Sequence, residues 1–422
     1  MDKIHKLLLV ILIASVLTLN LMAEGIDNTD NNMNFSGIMN LGYGYGKGNF
    51  LNKENETKEI FTSNLQLNAD YENDDFYFQS TLFGYAYTMP NNEKAHLMNY
   101  HDEYEKQDVF FRSLYGSYKI NQNLSVGVGY LAFSNSTPSK YSNDYIQDGE
   151  GIYMLNDNTL AAAFAVYKEG NSRTIVGIGT IDETFIDTGM YIDDALRKGG
   201  AYTIFAINTY NYEKFTFTSE FLYNSLTYEK KDLSDVYQFG FATAWDDSDN
   251  SGWSFYNVLG ASIYDNHNED AKEAIFKNVL GPKAKYGDYI MAKHPDNFAI
   301  ENKKYYGAAM LWGFRKDFEI GRQEFFTTAE WFHTFGDWSS GNQGNIYLCQ
   351  DNQVFNVRDD SYYVTLGYII NDQATVRLAY TYSEYDEKGK IGAPSSTVDT
   401  EDYIGPQINK IEIMRIMFSY KF

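Results

Sequence analysis

The sequence predicts an all-β protein: a transmembrane antiparallel β-barrel of sixteen strands, with eighteen as the alternative count. Three features predict it. A leader is followed by no apolar helix, short and long connectors alternate along the chain, and the last strand has one greasy and one wet face.

The chain begins with an export signal. Lys3 and Lys6 precede a run of largely apolar residues from Leu7 to Leu19, and Leu21-Met22-Ala23 supplies a cleavage site, so residues 1–23 read as a secretory signal peptide. The apolar run is shorter than the roughly 20 residues a spanning helix needs. No Cys stands near the cleavage site to take a lipid, and no long uncharged apolar stretch follows. The chain is thus exported without a helical route into a membrane. Residues 24–34 form a short polar segment, and residues 35–422 form the barrel.

Period-2 alternation recurs from Phe35 onward. Leu65, Leu67, Ala69 and Tyr71 oppose Asn64, Gln66, Asn68 and Asp70; Phe215, Phe217, Phe221 and Tyr223 oppose Thr216, Thr218, Glu220 and Asn224. Ala374, Val376, Leu378, Tyr380 and Tyr382 oppose Thr375, Arg377, Thr381 and Ser383 in the same way. Each such segment suits a thin wall that is apolar on one side and polar on the other. Composition agrees: 37 Tyr and 29 Phe supply aromatic girdles, while mean hydropathy is negative, too polar for one large soluble core. The single Cys349 excludes an intramolecular disulfide framework. The formal charge of −23 becomes −24 once the signal, with two Lys and one Asp, is removed. That balance argues against nucleic acid as a partner and predicts attraction of cations.

The connectors set the strand count. Tight polar turns are expected at Asn73-Asp74, Asn121-Gln122-Asn123, Asn156-Asp157-Asn158, Asn211-Tyr212-Glu213, Asp246 to Ser251, Asp317 to Gly321 and Asn371-Asp372-Gln373. Between them lie long segments: Lys47–Glu59, Met89–Gln107, Asn135–Gly149, Glu169–Gly199, Leu226–Ser234, Asp265–Lys303, Gly336–Arg358 and Glu387–Gly405. Short turns at one end and long loops at the other are the asymmetry of transmembrane barrels. Thr174 to Thr180 inside the fourth long segment is itself strand-like and would give eighteen strands by pairing with Phe185 to Ile192. The sixth long loop carries a helical pattern, with Ala271, Ala274, Ile275 and Val279 ahead of Gly281-Pro282.

No enzymatic, metal or cofactor constellation is expected. His96 and His101 sit among Glu93, Asp102, Glu103 and Glu105 at spacings that match no metal template, so they read as a solvated acidic loop. Asp247 to Gly252 starts like a calcium loop, but its twelfth position is Val258, not an acid. Glu330 and His333, three apart on a strand, face opposite sides and cannot act as a dyad. The informative charges are those within strands: Arg112, Glu220, Glu330, Arg377 and Arg415. An Arg or Lys on the lipid face costs roughly 2–4 kcal/mol at mid-membrane, so these five are expected to face the lumen. Sixteen strands enclose a lumen too wide for side chains to fill, giving an aqueous channel unless a loop plugs it.

Counting back in twos from Phe422 gives Tyr420, Phe418, Ile416 and Met414, all apolar or aromatic. This ending resembles the last strand of Gram-negative outer-membrane β-barrel proteins, which closes the barrel and carries the assembly signal; Phe418, Tyr420 and Phe422 would carry it here. The hairpin from Arg112 through the Asn121–Asn123 turn to Tyr130 is similar to the one that precedes the inward-folded third loop of general porins. The Gly-Arg expected at the end of its second strand is replaced by Gly129-Tyr130. The resemblance implies a water-filled channel for small hydrophilic solutes and ions, with Asp144, Asp148 and Glu150 on a constriction loop and Arg112 on the facing wall; the inward Arg377 and Arg415 are expected to extend that basic wall. It also implies outer-membrane lipid, lipopolysaccharide and the barrel-assembly machinery as partners, and association as a homotrimer. Two rivals remain open: a solute-selective channel with inward aromatics Tyr77, Phe83, Tyr85 and Tyr256 as a track, and a plugged surface adhesin.

Overall fold

The computed structural model describes residues 33–50, 53–88, 105–134, 157–181, 199–228, 231–270, 301–338, 358–385 and 408–422. Its strands are β1 (Met33–Phe50), β2 (Lys53–Glu72), β3 (Phe76–Thr88), β4 (Glu105–Lys119), β5 (Leu124–Ser134) and β6 (Asp157–Glu169). There follow β7 (Ser172–Ile181), β8 (Gly199–Tyr212), β9 (Phe215–Tyr228), β10 (Lys231–Asp247) and β11 (Trp253–Asn266). The last five are β12 (Lys304–Ile320), β13 (Gln323–Gly336), β14 (Arg358–Ile369), β15 (Ala374–Tyr385) and β16 (Ile408–Lys421). Each strand pairs antiparallel with its sequence neighbours, and β1 pairs with β16 to close a barrel of sixteen strands. A closed sheet satisfies every backbone group without an edge, as a spanning β-structure must.

The seam is set by the terminal residue. Met39 lies opposite Tyr420, Leu41 opposite Phe418 and Tyr43 opposite Ile416. Gly37 and Phe422 exchange backbone hydrogen bonds of 2.8 and 3.0 Å. The Phe422 ring lies over Gly37, where an added Cβ would come within 2.5 Å of it.

Seven short connectors share one end of the barrel, and three of them repeat one device. Asn73, Asn121 and Asn371 each turn the side-chain oxygen back to accept the backbone N–H groups two and three residues on, at 2.6 to 2.9 Å. This asparagine-closed turn holds the next strand in register before its ladder begins. The turn from Asp246 to Ser251 contains one helical turn, Ser248–Ser251, and Asp247 binds Lys214 across it at 2.5 Å, as a polar turn would.

Three sequence expectations need correcting. Asp157 and Asn158 form no turn; they open β6, opposite Ser134 and Phe133 of β5. The short turn is Gly170-Asn171 instead, with Gly170 at φ +54°, and the strand-like Thr174 to Thr180 is β7, paired between β6 and β8. The count of sixteen therefore stands with a different third short turn, between β6 and β7. The expected long loops at Lys47–Glu59 and Leu226–Ser234 are largely strand: β1 runs to Phe50 and β2 resumes at Lys53, while β9 runs to Tyr228 and β10 resumes at Lys231. Polar residues on both faces hide the alternation there, but backbone pairing continues. Of the helix expected in the sixth long loop, Glu269 and Asp270 are helical and the rest lies outside the described residues.

Burial separates the two faces. On β11 Trp253, Phe255, Leu259 and Ala261 are exposed, while Ser254, Tyr256, Val258, Gly260, Ser262 and Tyr264 are buried. On β16 Met414 and Ile416 are exposed while Ile413, Arg415 and Met417 are buried. The exposed set is apolar all round the wall, an arrangement that suits lipid rather than water. Near the short turns aromatic pairs line it: Phe215 stacks on Phe217, Trp253 on Phe255 and Phe318 on Phe325, with ring centroids 5.7 to 6.0 Å apart. Toward the long-loop end Tyr223 meets Tyr237, and Trp331 gives its indole N–H to Asp360 at 2.7 Å. Aromatic girdles with a polar tip are what two membrane–water interfaces favour.

Candidate functional site

The inward face is the candidate site, and its two sectors differ. On β1 to β4 it is polar and partly open. The cross-strand register sets Asn40 opposite Asn64, Ser36 opposite Asn68 and Asn68 opposite Thr81. One row further toward the short turns, Asp70 lies opposite Gln79, and Gln79 opposite Tyr115. Hydrogen bonds run along and across these rows: Asn40 to Asn64 at 2.8 Å, Gln66 to Asn68 at 3.0 Å, Asn68 to Ser36 at 3.3 Å. Tyr115 donates to Gln79 at 2.5 Å and Tyr77 to Asp70 at 3.3 Å. Ser419 of β16 joins the ladder by donating to Asn40 at 2.5 Å. Gln66, Asn68, Asp70, Tyr77 and Gln79 all keep solvent exposure.

From β8 to β16 the middle and long-loop part of the inward face is closed, while Ile207, Thr209, Arg315 and Glu319 toward the short turns keep solvent contact. Phe205, Leu222, Tyr256, Val258, Tyr264, Tyr305, Phe332 and Tyr363 are each at most 3% exposed. Packing across the strands explains part of this. Tyr256 on β11 lies across Gly313 of β12, where a side chain would collide with its ring, and donates its hydroxyl to Glu330 on β13. Glycine here is a passage for the tyrosine. Toward the short turns, the Arg315 guanidinium lies 3.9 Å from the Phe326 ring centroid and binds Asp317 at 2.7 Å.

The long-loop end of β13 adds a piece that the sequence did not advertise. Gly336 takes φ +60°, Asp337 donates its N–H to the Tyr306 carbonyl at 2.9 Å, and the chain turns inward. Trp338 is fully buried, its ring over Gly260 of β11, in one cluster with Ala242, Val258, Leu311, Phe332 and Tyr363. A Gly-Asp-Trp run after a strand was the available signal.

The predicted charges fall into three groups. Glu220, Glu330, Arg377 and Arg415 lie on the inward face of β9, β13, β15 and β16, at 7, 7, 5 and 3% exposure. Arg377 faces Met417 and Arg415 faces Ala379, so the two arginines are diagonal neighbours. Arg112 sits on β4 at a break in register: Thr81 pairs with Ser113 and Leu82 with Phe111, leaving Arg112 at a bulge. Asp144, Asp148 and Glu150 lie outside the described residues. Glu330 faces inward while His333 lies on the outer face, bound to Asp360 at 3.2 Å. Tyr77 and Phe83 share the inner face of β3, but Tyr256 stands eight strands away on β11, across the barrel. Those aromatics do not form one track. At the seam, Phe418, Tyr420 and Phe422 fall on the outer parity with Met414 and Ile416, and Tyr420 stacks on Phe422 at 6.2 Å.

With this geometry in place, comparison with solved structures finds matches over nearly the whole chain. The anion-selective porin of Comamonas acidovorans matches with a TM-score of 0.50 at 10% identity, covering 93% of this chain and all of its own. The fold is that of a porin barrel. OprB of Pseudomonas putida matches this chain with a TM-score of 0.49 at 11% identity, covering 93% of it and 95% of OprB. A loop-deletion mutant of OmpT from Vibrio cholerae gives 0.45 at 10% identity, with 92% and 99% covered. No protein-family model matches the sequence. No curated relative matches it either.

Proposed function

We propose that the protein is an outer-membrane porin, exported by residues 1–23, that passes small hydrophilic solutes and ions by passive diffusion and prefers cations. The carrying observation is a closed barrel with an apolar outer face and a solvent-exposed polar strip inside, on β1 to β4. An apolar exterior gives the barrel a place in lipid, and a wet interior gives a solute a path through it. Phe418, Tyr420 and Phe422 present the assembly signal to the barrel-assembly machinery, and the aromatic girdles settle against outer-membrane lipid and lipopolysaccharide. Copies associate as a homotrimer.

Cation preference follows from the charge of −23 on the whole chain, since negative mouths concentrate cations within a Debye length of about 10 Å at 0.1 M salt. Glu220, Glu330, Arg377 and Arg415 are too buried to touch a passing solute, so they act on it through their field, which is weakly screened inside the wall. Asp144, Asp148 and Glu150, with Arg112 at its bulge, form the narrowest part when the third long loop folds inward. Purified protein in planar bilayers tests the reading. Stable single-channel steps, with a reversal potential toward cation selectivity at low salt, are expected. An insulating barrel would sink the channel, and an anion preference at low salt would sink the selectivity.

A further inference from the structure

The open wall of β1 to β4 has a composition that a general filter does not require. Its solvent-contacting centre is the half-buried amides Gln66, Asn68 and Gln79, while Asn40, Thr81, Ser113 and Ser117 beside them are buried. Among the described inward side chains of these four strands the ionisable acids and bases are Asp70, Glu72 and Lys119. Glu72 and Lys119 pair with each other at 2.7 Å by the short turns, so among the described inward side chains of these strands Asp70 is the remaining charge. A carboxylate wall offers only acceptors and an arginine wall only donors, whereas each amide presents both from one rigid plane. Hydroxyl groups also donate and accept, so amide rows at fixed strand spacing suit a solute that carries many of them.

Rings stand beside the amides. Tyr77 and Tyr115 have centroids 5.9 Å apart at 47°, and Phe164 meets Tyr115 edge-on at 5.5 Å. Tyr115 holds Gln79 and Tyr77 holds Asp70 by hydrogen bonds, so the amide, the acid and the ring faces are fixed together. An apolar surface with a few oriented polar groups is the usual make-up of a small-molecule site.

Building on the channel reading above, we infer that this wall is a weak binding track for neutral polyhydroxylated solutes of saccharide type. Rows of amides take the hydroxyls in turn, while Tyr77 and Tyr115 take the less polar faces. Weak binding at several places raises occupancy of the channel and still lets the solute leave.

The test uses the full-length mature protein in planar bilayers with KCl as charge carrier and maltotriose as probe, against a polyethylene glycol of equal hydrodynamic radius. Maltotriose is expected to lower the current saturably, by at least about twofold more than the polymer at equal concentration. Replacing Gln66→Leu together with Asn68→Leu should raise the half-blocking concentration about tenfold, the effect of losing one to two hydrogen bonds. Thr381→Val on the closed wall should leave that concentration where it is. Equal effects of maltotriose and polymer on the native channel overturn the inference, and that comparison decides the matter even where the double variant fails to fold. Block unchanged in a folded double variant overturns it too. A conducting channel with no saccharide block removes the track alone, whereas absence of KCl conductance removes the channel reading along with it.

Discussion

On β2 the inward Gln66, Asn68 and Asp70 keep contact with solvent, whereas on β11 the inward Ser254, Tyr256, Val258, Ser262 and Tyr264 do not. Both strands obey the same alternation, and on both the outward residues are mostly apolar, Asn257 and Asp265 being the polar exceptions on β11. The difference lies in what crosses the inner surface. On β11 to β13 an aromatic ring spans a glycine to reach a carboxylate two strands away, and Trp338 seals the end nearest the long loops. On β1 to β4 the side chains bind one another along a ladder and leave their outer edges wet. Strand period decides which face looks inward, and long-range packing decides whether that face is a pore wall or a core.

The two walls meet at the β1–β16 seam, so a lesion there has the largest expected effect. Phe422→Lys removes the ring over Gly37 and puts a charge on the lipid-facing parity. Assembly should be lost while export continues: the protein accumulates unfolded, without the heat-modifiable mobility of a closed barrel. Normal levels of folded barrel in the outer membrane would show that the terminal ring does not hold the seam.

Within the closed wall, Trp338→Ala comes next. Truncating a fully buried large aromatic costs about 3–5 kcal/mol. The same change should raise single-channel conductance, because the side chain occupies the inner surface. Lowered stability with unchanged conductance would mean that Trp338 braces the wall without narrowing the path. Gly313→Val tests the ring-over-glycine crossing and is expected to cost about 1.5–3 kcal/mol, the worth of a hydrogen bond to a charged group. Tyr256→Phe removes the same bond with no collision, so urea unfolding of the two variants should show Gly313→Val at least as damaged. A Gly313→Val barrel as stable as the native one would rule the crossing out as a support.

The sequence made the faces legible but not their covering. The alternation of Leu65, Leu67 and Ala69 against Asn64, Gln66 and Asn68 reads directly as outside and inside, and the turn asparagines at 73, 121 and 371 mark their own turns. The third short turn is hard to place from sequence because Asn156-Asp157-Asn158 carries a stronger turn composition than Gly170-Asn171, and only pairing with Phe133 and Ser134 shows residues 157 and 158 to be strand. Inward charges in β9, β13, β15 and β16 followed from the cost of charge in lipid. Their burial did not, because it depends on contacts between residues far apart in sequence. Tyr256 and Glu330, 74 residues apart, are the clearest case.

The smallest expected effect separates the two walls most directly, because the same chemistry is compared wet and dry. On the open wall Asn68 donates to Ser36 at 3.3 Å and accepts from Gln66 at 3.0 Å, all three with solvent contact. On the closed wall Thr203 of β8 donates to Asn224 of β9 at 2.6 Å, and neither residue has any exposure. When Asn68→Ala breaks the open pair of bonds, water takes the vacated positions, and the loss should stay below about 1 kcal/mol. When Thr203→Val breaks the closed one, no water follows, and the acceptor that loses its donor pays its desolvation, about 1–3 kcal/mol. Urea midpoints of the two variants in one detergent give the comparison. Equal losses would mean that solvent reaches both walls alike, and the division of the interior into a wet wall and a dry one would have to be given up.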